Sequence, residues 1–161
     1  MDARARGALL IGGRSVARTT RAVLAEAATT VTSQGVSRLH RLLLWCAATD
    51  RTWRLGRMGD LRVLVGKCIH CGRKHVLDLS GCPMSDATLE HIVPRHHGGD
   101  DSLENLAIAC ARCNAQKGYR HDCARRDDPK LTQVIETLRQ RRAERLRPPL
   151  AQLSLPALPR R

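Results

Sequence analysis

Ala87-Thr88-Leu89-Glu90-His91-Ile92-Val93-Pro94, followed by Gly98-Gly99, Glu104-Asn105-Leu106 and Cys110-Ala111-Arg112-Cys113-Asn114, is the stretch that decides how this chain is read. Residues 89–93 alternate apolar and polar side chains, the pattern of a short strand, with Glu90 and His91 adjacent at its exit but pointing differently. Residues 106–109 read as a second short strand. The spacing predicts a helix from about Ala111 to Gly118, a natural C-cap, which sets Asn114 and Lys117 on one face. A loop through Gly98-Gly99 and Asp100-Asp101 joins the strands.

Cys68-x-x-Cys71 lies upstream and Cys110-x-x-Cys113 lies inside the stretch. Two close pairs of thiolates can share one ion in a tetrahedral site, so a structural zinc is expected at Cys68, Cys71, Cys110 and Cys113. His70 and His75 flank the first pair, but four thiolates already complete such a site. Cys46 reads as a small core residue, and Cys82 and Cys123 have no partner at the same spacing.

The quoted segments, taken with the cysteine pairs, resemble the HNH endonuclease family in its subgroup with a zinc-binding cysteine tetrad, over about residues 68–120. That resemblance implies an α+β fold: a small, zinc-stapled ββα-metal domain. It also implies a role for each matching residue. His91 would be the general base that takes a proton from the attacking water, a task suited to an imidazole whose unperturbed pKa is roughly 6.5. Glu90 and Asn114 would hold one hard divalent ion, Mg2+ or Mn2+, which stabilises charge on the phosphorane and the departing 3′ oxygen. Asn105 would tether the loop and help orient the base, while Lys117 would either contact phosphate or seal the helix against the loop. The letter pattern departs from the family's name in reading His, Asn, Asn, and the insertion 72–86 has no pattern that can be placed.

Charge supports a polyanionic partner. Residues 1–67 carry 12 Lys/Arg against 4 Asp/Glu, residues 68–123 carry 6 against 7, and residues 124–161 carry 10 against 4, giving +8, −1 and +6. Basic flanks around a near-neutral centre suit nucleic acid held by its backbone, with DNA expected and RNA as the competing polymer. Phe is absent and aromatics make up 2% of the chain, so a core built on large rings is not available. The longest strongly apolar run, residues 42–48, is too short to cross a bilayer, and no secretory signal is evident, so a cytoplasmic setting is expected.

The organisation expected is a basic arm over 1–35, a helix and short strand over 36–66, the HNH domain over 67–123, a basic amphipathic helix over 124–147 and a Pro-rich tail over 148–161. Within the arm, helical spacing points to 15–28, though its composition also resembles an organellar transit peptide. The second helix is expected over 36–48, with a continuation towards Trp53 as the alternative end, and a strand over 61–65. Asp127-Asp128-Pro129 reads as the start of the basic helix, in which Leu131, Val134, Ile135 and Leu138 form the packing face with Arg142 and Leu146 at the same spacing, while the charges of Arg139, Arg141, Arg142 and Arg145 are expected outside. The tail is expected to be extended or disordered. The function expected is metal-dependent hydrolysis of DNA phosphodiester bonds. The competing readings are a non-catalytic zinc-stabilised nucleic-acid-binding module and an RNA-directed or partner-dependent nuclease.

Overall fold

The computed structural model describes residues 36–159, so the expected helix over 15–28 and the basic arm lie outside the described residues. Helix α1 (Arg38–Ala48) starts at Ser37, whose hydroxyl accepts the His40 backbone N–H, and buries Leu42, Leu43, Leu44 and Cys46. It does not run on to Trp53. Asp50 accepts the backbone N–H and hydroxyl of Thr52, turning the chain so that Trp53 enters the core.

Strands β1 (Arg54–Met58), β2 (Leu61–Lys67) and β3 (Lys74–Asp78) form an antiparallel sheet in that order. Only β2 was legible in the sequence. Strand β1 carries two arginines and a glycine with little burial, so it shows no alternation. Strand β3 occupies the front of the 72–86 insertion. Beyond it, Asp78 Oδ1 accepts the N–H groups of Ser80 and Cys82, and Pro83 bridges back to Leu77.

Strands β4 (Ala87–His91) and β5 (Leu106–Cys110) pair antiparallel, with Glu90 opposite Ala107 and His91 opposite Leu106. Helix α2 (Ala111–Lys117) follows directly, completing a ββα unit. Gly118 does not end it in a left-handed cap: its φ of −52° stays right-handed, and the chain continues as a π-helical turn over Gly118–Asp122. Helix α3 (Pro129–Arg145) begins as the sequence implied, with Asp128 as cap and Pro129 in the first turn.

Two apolar clusters hold these elements. Leu42, Leu43, Trp53, Leu64, Leu77, Ala87, Leu106 and Ile108 join α1 and the first sheet to the ββα unit. Ile69, Ile92, Ala107, Ala109 and Leu138 form the second, beneath α3. The tail also packs: Leu150, Leu153 and Leu155 lie on the first cluster, and Trp45 Nε1 donates to the Pro156 carbonyl.

One expectation about α3 is overturned. Arg142 is 1% exposed, its Nε donating to the Leu103 carbonyl and its Nη2 to Thr49 Oγ1. It follows Leu131, Leu138 and Val134 on the packed face, and its planar fork finds acceptors there. Arg141 donates to the carbonyls of Ile69 and His70, and Arg145 to that of Cys68, so these two side chains fold over the cysteine knuckle.

Gly66 lies against the Trp53 ring, where an added Cβ would sit 2.0 Å from a ring carbon. Gly66→Ala is therefore expected to destabilise the fold by about 3 kcal/mol, the upper end of overpacking costs, measured by chemical denaturation. His75 is buried, with Nδ1 near Ser85 and Asp86 and no partner on Nε2. Burial outweighs the Asp86 charge and lowers its pKa, so the folded state takes up the proton less readily than the unfolded one. Stability should be intact above pH about 6.5 and decline as pH falls through the lower folded value. His75→Gln should flatten that acid slope in denaturation midpoints measured against pH.

Candidate metal and catalytic site

The four sulfurs of Cys68, Cys71, Cys110 and Cys113 lie within 4.8 Å of one another. A tetrahedral zinc thiolate site with bonds of about 2.3 Å spaces its sulfurs by about 3.8 Å. Cys71 and Cys110 are 3.9 Å apart, so the donor set and spacing fit zinc. Backbone N–H groups already face the sulfurs: His70 and Cys110 donate to Cys68, and Cys113 donates to Cys110. Such bonds favour the thiolate that a metal needs. The Arg73 backbone N–H draws Cys71 down to about 7, whereas burial pushes Cys68 up. Cys46 stays apart as a core thiol, raised to about 12 by burial. Binding at the tetrad must release protons, which makes affinity pH-dependent.

The knuckle sets β4 beside α2. Asn114 Nδ2 donates to the Leu89 carbonyl and Thr88 Oγ1, which turns its Oδ1 away from the strand. One turn on, Lys117 Nζ donates to the His91 carbonyl at 2.9 Å. Its side chain is 2% exposed, and the ammonium also meets Glu90 Oε1 at 2.9 Å and Asp122 Oδ1 at 2.8 Å. Lys117 is thus turned inward and seals helix to strand and π turn. Glu90 is 1% exposed, and its other oxygen, Oε2, lies 3.0 Å from His70 Nε2.

On the other side of the strand, His91 Nε2 lies 2.8 Å from Asp101 Oδ1 and 3.1 Å from Arg95 Nε. These partners compete, because the carboxylate needs an N–H and the guanidinium a lone pair. With Nε2 protonated toward Asp101, Nδ1 is the basic nitrogen. Arg95 and Arg38 both donate to Asp101. Burial alone would raise the Asp101 carboxyl, but hydrogen bonds from His91, Arg95 and Arg38 outweigh it and hold the group well below the usual carboxylate range. Asp101 is therefore a fixed negative charge behind the ring.

Asn105 fastens the loop that carries this aspartate. Its Oδ1 accepts the Val93 N–H, and its Nδ2 donates to the carbonyls of Val93 and Asp100. Gly99 crosses so near that a Cβ would fall 1.8 Å from the Val93 oxygen. His96 and His97 both contact the Asp122 carbonyl through Nε2, tying the loop to the π turn. Sequence reasoning missed His70, Arg38, Arg95 and Asp101 as site neighbours. The acidic pair after Gly98-Gly99 was a signal, but nothing in the letters says which aspartate turns towards His91.

Residues 68–120, about a third of the chain, match the family model of the HNH endonuclease. The segment is an HNH-type ββα domain, and it carries the Cys68-x-x-Cys71 and Cys110-x-x-Cys113 pairs. No curated protein and no solved structure matches the chain.

Metal analysis of the purified chain should find about one zinc per molecule. Replacing both Cys110 and Cys113 with Ser should remove it and abolish the cooperative thermal transition, because binding at structural zinc sites contributes roughly 10–16 kcal/mol to folding.

Proposed function

We propose that this protein is a metal-dependent endonuclease that hydrolyses DNA phosphodiester bonds with His91 as the general base. The observation that carries the reading is the His91 ring, partly open to solvent, held on the half-buried Asp101 carboxylate between Arg38 and Arg95. An oriented imidazole with a fixed anion behind it can accept a proton from water at Nδ1 and be stabilised as imidazolium. Arg95 is 59% exposed, and its guanidinium has more N–H donors than its contacts with Asp101 use, so it can also hold a phosphate oxygen. A divalent ion bound by Glu90 with Asn114 would supply Lewis-acid stabilisation of the charge that develops during cleavage. The tetrad would hold zinc and keep β4, β5 and α2 in register. Seven cysteines without disulfides suit a reducing compartment, which favours a cytoplasmic setting.

Purified protein supplied with Mg2+ or Mn2+ is expected to nick supercoiled plasmid, and His91→Ala should slow nicking by about 10²- to 10⁴-fold with the fold intact. Nicking that persists at the parental rate in His91→Ala would refute the assignment. Offering single-stranded RNA to the same preparation tests the polymer, with DNA expected to be the one cut.

A further inference from the structure

Glu90 is tied from two directions, and the two ties differ. Lys117 holds Oε1 with an ammonium that is itself buried and satisfied by the His91 carbonyl and Asp122. Oε2 meets the ring of His70, whose side chain is 18% exposed. A cavity of about 210 Å³ opens beside it, lined by His70, Gln116, Lys117, Arg120 and His121. Solvent can therefore reach the His70 ring, while Glu90, 1% exposed, lies behind it.

The spacing of this pair is informative. His70 Nε2 and Glu90 Oε2 are 3.0 Å apart. Two adjacent ligands of an octahedral ion, each at about 2.1 Å, are separated by about 3.0 Å. The two atoms thus stand at the separation that bracketing one cation requires, with the imidazole turned to aim its Nε2 lone pair at the ion. His70 occupies the x-x of the first cysteine pair, and its place is set twice: by the knuckle turn, and by Arg141, which donates to the His70 carbonyl.

We infer that His70 is a direct ligand of the catalytic ion alongside Glu90 Oε2, so that one residue of the zinc knuckle also builds the second metal site. The inference rests on reading Glu90 as a ligand of that ion. Glu90 then binds through one oxygen while Lys117 keeps the other, and the site offers one imidazole nitrogen in addition to oxygens. Such a mixed donor set shifts preference away from Mg2+, which favours all-oxygen surroundings, towards first-row transition ions.

Mn2+ is a suitable probe, added to the full chain with its structural zinc in place. Electron paramagnetic resonance of the unbound ion yields the affinity, and electron spin-echo modulation detects a directly coordinated 14N nucleus. The parental protein is expected to bind Mn2+ with 14N modulation, and His91→Ala should retain that modulation. His70→Gln should lose it and bind Mn2+ about 10- to 100-fold more weakly, with zinc content unchanged. Mn2+ bound without 14N modulation in the parental protein overturns the inference whatever the variant does, and so does modulation that persists in His70→Gln. Those results leave the nuclease reading standing. Failure of the parental protein to bind any Mn2+ beyond the zinc site overturns both the inference and the Glu90 ion site.

Discussion

One buried ammonium sets the geometry of the site. Lys117 reaches in from the last turn of α2 and is shared among Glu90 Oε1, the His91 carbonyl and Asp122, which come from the strand and the π turn. A charge taken out of water is tolerable only if its partners surround it, and removing one leaves the others exposed to the full desolvation cost. The contact therefore fixes α2 on β4 and the π turn on α2 together. It also decides how Glu90 is presented, because occupying Oε1 leaves Oε2 to the knuckle side, where His70 lies.

The cysteine tetrad acts on the same frame from outside. It joins the end of β2 to the start of α2, and α3 lies across it through Arg141 and Arg145. Arginine suits this position because it can spread N–H donors over several carbonyls of the turn, of which that of Cys68 also accepts the Gly72 N–H. Beneath these contacts, Leu138 packs in the same apolar cluster as Ile69 and Ile92, so α3 rests on the knuckle and on the residue that follows His91. A chain without Phe divides its packed interior into two modest clusters, aliphatic apart from Trp53 in the first, with the four clustered sulfurs at the second.

The two sides of β4 are separate chemical environments. Strand alternation sends Glu90 towards Lys117 and His70, and His91 towards Asp101, Arg95 and Arg38. A carboxylate held by an ammonium and an imidazole, and an imidazole held by a carboxylate, are thus neighbours in sequence without neutralising each other. Asn105 maintains the second environment at one remove, fixing the loop on which Asp101 stands.

Local rules made the ββα unit, the knuckle, the start of α3 at Asp128-Pro129 and the pairing of Glu90 with His91 legible, because alternation, x-x spacing and capping each act within a few residues. They failed at β1, whose arginines and glycine hide its pairing with β2, and at Gly118, where a π turn held by Lys117 and Asp122 overrides a common helix stop. Arg142 shows the limit well: its spacing marked the packed face, its charge argued for solvent, and only the acceptors at Leu103 and Thr49, 39 and 93 residues away, decided between them. By itself the sequence determined which residue types would meet and in what local order. The tertiary structure decided that His70 faces Glu90, 20 residues on, and that Asp101 rather than Asp100 contacts the His91 ring, because those pairings depend on where loops close and no periodicity encodes that.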